Sequence, residues 1–211
     1  MWDSGISYAL SGASTAPDKE IIRENIVERF SALPGKPTYL TFPGNNWLTE
    51  KAIADRRKTL KLQPGKFVCL EYSSHIYREA LANKPPNVDA QLLHVELHKY
   101  FSKVDFVLPF KVDAAWFDLI GPMTQKRFQV ASALWNTQLG SYLAITSRRG
   151  RWAGGDPYKK RLSKDGYPGL ILRKELTRHK VVYEVEKYPG RYSVRMHHIV
   201  FEKIHEQEKT I

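Results

Sequence analysis

Three hydrophobic runs between residues 39 and 147 each end in a polar loop, and this order constrains the fold more than any other feature of the chain. The first, Tyr39-Leu40-Thr41-Phe42, breaks at Pro43-Gly44-Asn45-Asn46. The second, Phe67-Val68-Cys69-Leu70, ends in Glu71. The third, Ala114-Ala115-Trp116-Phe117, ends in Asp118 and is followed by Gly121-Pro122. Helix-like stretches separate the runs. Short, wholly apolar strands are the kind that parallel sheets bury on both faces. Parallel strands present their C-terminal ends on one side, where open α/β sheets bind ligands in a crevice.

A chain of 211 residues, 42% hydrophobic and 12% aromatic, can bury a full core as one domain. We expect that domain to span residues 18–205, with a flexible segment at 1–17 and a polar tail at 206–211. Residues 1–17 lack a basic start and an apolar centre, so they do not read as a secretory leader. No apolar run reaches the ~18 residues of a membrane helix. The lone Cys69 excludes an internal disulfide and a cysteine zinc cluster. It reads as a small core residue, and a reducing, cytoplasmic setting fits it.

The net charge of +11 favours an anionic partner, most often nucleic acid. From Arg148 to Arg191 there are thirteen Lys/Arg against five Asp/Glu, interleaved with Trp152, Tyr158 and Tyr167. Cations clustered among aromatic rings suit phosphate contact and base stacking. A solvated basic face is the alternative.

Thr15-Ala16-Pro17-Asp18 reads as a helix start, and Ile22, Ile26, Phe30 and Leu33 line one face of that helix. Residues 47–60 read as a second helix. Ser73 or Ser74 caps a third, carrying Ile76, Tyr77, Ala80 and Leu81. Asp89 starts a fourth, with Leu93, Leu97, Tyr100 and Phe101 at helical spacing. Residues 104–108, 114–120 and 142–146 read as strands, and 125–139 as a helix stopped by Gly140. A short helix is expected at 171–179. Residues 181–185 and 192–201 form two further β runs, and Tyr188-Pro189-Gly190 is the turn signal for an antiparallel hairpin. The pattern predicts an α/β three-layer sandwich with a mostly parallel seven-stranded sheet ending in that hairpin.

In this order of elements the chain resembles the class I, Rossmann-like methyltransferases that use S-adenosylmethionine. The resemblance places cofactor contacts at Phe42, Pro43, Gly44 and Asn45 in the loop after the first strand. It places the ribose hydroxyls on Glu71, with Tyr72 beside it. It puts the reaction centre at Asp118, Gly121 and Pro122. The loop departs from the family pattern, with one glycine and no acid. A carboxylate such as Asp118 can stabilise the positive charge that methyl transfer builds on an amine nitrogen.

The resemblance and the charge together imply S-adenosylmethionine-dependent methylation of nucleic acid, with an exocyclic base amine as acceptor. Arg148, Arg149, Arg151, Lys159, Lys160 and Arg161 would meet phosphates, and Trp152 would stack. The alternative is a catalytically inactive, basic binding or assembly module on the same fold, of viral or mobile-element type. No metal site is expected. His94, Glu96 and His98 carry the two histidines of a zinc-protease helix, but the glutamate is one position late. His197 and His198 are adjacent on a strand and face opposite sides.

Overall fold

The computed structural model describes residues 17–119, 125–148, 179–189 and 195–204. The element order is α1 (Pro17–Ser31), β1 (Thr38–Thr41), α2 (Leu48–Thr59), β2 (Lys66–Glu71), α3 (Ser74–Ala82), β3 (Ala90–His94) and α4 (Leu97–Lys103). It continues with β4 (Val112–Asp118), α5 (Gln125–Thr137), β5 (Leu139–Arg148), β6 (His179–Pro189) and β7 (Arg195–Lys203). The strands form a single, mostly parallel sheet in the order β3-β2-β1-β4-β5-β7-β6. Pairings among β1 to β5 are parallel, and β7 runs antiparallel to both β5 and β6.

The two-residue period of the strands sorts the core into two layers. Leu40, Val68, Leu70, Ala115, Phe117 and Leu143 pack against α4 and α5 on one face. Tyr39, Phe67, Cys69, Ala114, Trp116 and Ala144 pack against α1, α2 and α3 on the other. Neighbouring positions on β1, β2 and β4 therefore alternate between two buried faces, which is why these runs carry almost no polar residue. Each large side chain so buried contributes about 1.5–3 kcal/mol.

One buried cation joins the loops at the N-terminal rim of the sheet. Arg57, 1% exposed, donates to the carbonyls of Gln63 (2.7 Å), Ser31 (2.9 Å), Leu33 (2.7 Å) and Gly35 (2.7 Å). It also reaches Tyr39 Oη at 3.4 Å, and that hydroxyl donates to Phe30 O at 2.8 Å. Gly65 lies against the Tyr39 ring so closely that a Cβ there would collide with it.

Several sequence expectations are corrected. The helix expected from Asp89 is strand β3 followed, after two residues, by the short helix α4. The apolar spacing at Leu93, Leu97 and Phe101 mimicked a helix. Pairing of residues 90–94 with β2 overrides that local signal, as tertiary context often does. Residues 104–108 are not a strand: Asp105 and Phe106 have φ of 48° and 59°, which breaks extended structure. Leu108 is held by Gln138, whose side chain accepts its N–H at 2.7 Å and donates to its carbonyl. Helix α5 stops at Thr137, and Gly140 lies inside β5. Pro189 is not in a turn but pairs with Arg195 as the end of β6. The expected helix at 171–179 falls almost wholly outside the described residues, and His179 begins β6.

Candidate active site

Because β1, β2 and β4 are parallel neighbours, their C-terminal ends share one rim. The loop carrying Gly44 follows β1, Glu71 is the last residue of β2, and Asp118 is the last of β4. β5 ends on this rim too, so the backbone of Arg148 lies two positions beyond Thr146, the register partner of Asp118. Gly121 and Pro122 lie outside the described residues, as do Arg149, Arg151, Trp152, Lys159, Lys160 and Arg161.

The loop after β1 is fixed by α3. Gly44 has φ +59°, a conformation that suits glycine, and a Cβ there would meet nothing within 4 Å. Trp47 also has a positive φ, 53°, and is fully buried, with Nε1 donating to Ala80 O at 2.7 Å. Asn45 donates to Glu79 Oε2 at 3.2 Å, and Asn83 donates to Asn45 O at 3.1 Å. Packing and these bonds hold a strained turn in place. Phe42 turns its ring edge toward Phe117, at 6.0 Å between centroids, and Pro43 is buried.

Glu71 folds back over its own turn, Oε1 accepting the Ser73 N–H at 2.7 Å. Burial pushes its pKa up, while the Ser73 and Tyr72 amides and nearby His94 pull it down. Tyr72 is 60% exposed at the rim. His94 Nε2 lies 3.2 Å from Tyr72 O and 3.3 Å from Ser74 Oγ, and its ring stacks on Tyr77 at 4.7 Å. His98, by contrast, is on α4 against Phe106. The two histidines therefore do not share a helix face, and no cluster of three or more metal-ligating residues occurs among the described residues. Arg127, in the first turn of α5, couples electrostatically to Tyr72 and Glu96, and burial lowers its pKa.

Residues that the sequence did not point to complete the rim. Lys19 of α1 pairs with Asp118 at 2.5 Å, the side chains 18% and 20% exposed. Glu50, in the first turn of α2, is 1% exposed. Neither of its carboxyl oxygens has a hydrogen-bond partner of ordinary geometry among the described residues. Burial raises its pKa; the Thr41 hydroxyl, its own N–H and Arg23 oppose this, and Asp118 adds to it. Deeper in, Trp116 Nε1 donates to Thr146 Oγ1 at 3.0 Å, and that oxygen lies 2.8 Å from His198 Nδ1. Burial, with the Lys19 charge adding, lowers the His198 pKa to about 3, so the ring is neutral. Lys19 and Arg23 lie four apart on α1, beside the apolar positions Ile22 and Ile26. That interruption of an apolar face was the one local signal for them. Cys69 is buried, with its thiol pKa raised by burial, and is an inert core residue.

The sequence matches no family model and no curated protein. Solved structures do match. The Methanococcus jannaschii fibrillarin pre-rRNA processing protein superposes with a TM-score of 0.55 at 20% identity, over 81% of this chain and 68% of that one. An rRNA methylase from Streptococcus thermophilus gives 0.55 at 12% identity, over 88% and 96% of the two chains. Magnesium protoporphyrin IX methyltransferase from Synechocystis PCC 6803, solved with bound S-adenosylmethionine, gives 0.54 at 13% identity, over 87% and 78%. At these identities the likeness is one of fold, and the fold is that of the class I S-adenosylmethionine-dependent methyltransferases.

Proposed function

We infer that the protein is an S-adenosylmethionine-dependent methyltransferase acting on nucleic acid. The observation that carries this reading is the shared rim, where Gly44, Glu71 and the Lys19–Asp118 pair stand at the ends of adjacent parallel strands. The residues fit the cofactor. Glu71 commits one oxygen to Ser73, so acceptor capacity remains for ribose hydroxyls. The exposed Tyr72 ring offers a stacking surface for a base. Gly44 has no side chain and open space beside it, so a ligand could approach the backbone there. When bound, S-adenosylmethionine supplies a methyl group on a positively charged sulfur.

Asp118 acts on the acceptor. With an exocyclic base amine, its carboxylate takes up an amine hydrogen and stabilises charge developing on nitrogen. The Lys19 pair favours a second reading, in which the acceptor is a hydroxyl. An ammonium 2.5 Å from Asp118 opposes positive charge on a nearby nitrogen but stabilises an oxygen losing its proton. The Asp118 carboxylate would then accept the hydroxyl proton. Support for nucleic acid as substrate comes from the +11 charge and from neighbours of the fold named as acting on rRNA.

Calorimetry with S-adenosylmethionine tests the cofactor. Micromolar binding that is lost in Gly44→Val and Glu71→Ala supports the enzyme, whereas no binding at millimolar cofactor leaves an inactive basic module. Transfer of a labelled methyl to RNA and DNA, followed by nucleoside analysis, then distinguishes amine from hydroxyl products.

A further inference from the structure

The rim opposite the candidate active site carries a second feature. There, Lys36, Arg56, Lys58, Lys61 and Lys66 are all exposed, at the C-terminal end of α2 and at the entries to β1 and β2. Arg56, Lys58, Lys61 and Lys66 form no ion pair among the described residues. Two acids share the edge: Asp55 accepts from Asn87 Nδ2 at 2.7 Å, and Asp89 lies 4.0 Å from Lys36.

The backbone that bears these cations is rigid. Arg57 ties residues 31, 33, 35 and 63 together through their carbonyls. Leu62 N–H donates to Arg57 O at 2.9 Å, Lys61 N–H to Lys58 O at 3.1 Å, and Lys66 N–H to Pro37 O at 2.8 Å. Lys61 is held at φ 56°. Like charges gathered on one rim repel, and an approaching polyanion relieves that repulsion. Because the loops are already ordered, binding costs little backbone entropy. Leu60 and Leu62, 48% and 36% exposed, flank Lys61 with aliphatic surface that suits the apolar faces of sugars.

We propose that this rim is a second nucleic-acid-binding surface, contacting phosphates through Lys36, Arg56, Lys58, Lys61 and Lys66. It rests on the nucleic-acid part of the proposed function and extends it. β2 alone spans about 20 Å. A substrate engaging both rims must therefore bend round the molecule or be folded, and a short single strand cannot reach both.

The test is the triple variant K58E/K61E/K66E, whose side chains are exposed and outside the Arg57 network. Its affinity for a folded RNA of about 30 nucleotides is expected to fall at least tenfold near physiological salt. The slope of log affinity against log salt should fall by about 2–3, near one unit per phosphate contact. The KM for that RNA should rise with kcat unchanged, and a six-nucleotide substrate should not respond. Unchanged affinity and slope overturn the proposal. So does a loss confined to polyglutamate or to phosphatidylserine vesicles, which assigns the rim to an acidic protein or a membrane. S-adenosylmethionine binding is measured in parallel. Its absence from the wild-type protein sinks the methyltransferase reading and leaves the salt slope to decide this one.

Discussion

The two rims of the sheet bury charge in opposite ways. At the N-terminal rim, Arg57 is enclosed and its guanidinium meets four backbone carbonyls at 2.7–2.9 Å. At the C-terminal rim, Glu50 is enclosed with no hydrogen-bond partner of ordinary geometry among the described residues, and Glu71 has its pKa raised. His198 on the same side is held neutral. A buried polar group that is satisfied stabilises a fold, and one left short of partners costs it free energy. Local rules tend to be broken where a protein works, and this contrast is the one expected if the C-terminal rim carries the proposed chemistry.

Activity should show the contrast most strongly. Asp118→Asn is expected to lower kcat by about 10²–10³, the usual scale for a proton-handling or charge-stabilising group, and Lys19→Met to do the same where the acceptor is a hydroxyl. Cofactor affinity and melting temperature should stay near wild type. Full turnover in both variants would remove the chemistry from this rim. Lys19→Met also sharpens the acceptor, since a large loss is expected for a hydroxyl and little or none for an amine.

Stability should respond at the other rim. Arg57→Ala leaves four backbone carbonyls, two of them buried, without their donor, and a loss of about 3–5 kcal/mol in urea unfolding is expected. A loss below about 1 kcal/mol would mean that water replaces the guanidinium. The pH dependence belongs to the C-terminal rim. Above pH 6.5, His198 is neutral in both folded and unfolded chains. Between that and its folded value of about 3, only the unfolded chain takes up the proton. Stability therefore falls as pH drops through this window, by up to roughly 5 kcal/mol for a shift of this size. His198→Asn should flatten urea midpoints between pH 7 and 4.

Glu50 works in the opposite sense. Its raised pKa means that the folded chain holds a proton the unfolded chain releases, so stability is lost as pH rises through the folded value. Glu50→Gln should raise the melting temperature at pH 7 and change little at about pH 4, where both states are protonated. A lower melting temperature at pH 7 would show that the carboxylate is paired and stabilising.

Much of the sheet was legible because apolar runs closed by polar residues carry their own period. Residues 39–42, 67–70 and 114–120 read as strands without tertiary information; the strands run 38–41, 66–71 and 112–118, and their shared rim followed from parallel order. Residues 90–94 were not legible. Ala-Gln-Leu-Leu-His has neither a strict alternation nor a bounding turn at its end, and the hydrogen bonds that make it a strand come from β2. Gly44, Glu71 and Asp118 could be named in advance as they sit at strand ends. Glu50 and His198 could not, because each is unremarkable in its own segment, and the only local sign of Lys19 was the break it makes in an apolar helix face.

By itself, then, the amino-acid order determined which segments are strands buried on two faces, where their loops fall and that the molecule is strongly cationic, since these depend on local period and composition. Tertiary structure alone decided that Lys19 meets a carboxylate 99 positions away, that Glu50 is closed off from water, and that one arginine ties the opposite rim together. Such pairings join residues far apart in sequence, and only the packing of helices onto the finished sheet sets which charges lose their water and which neighbours replace it.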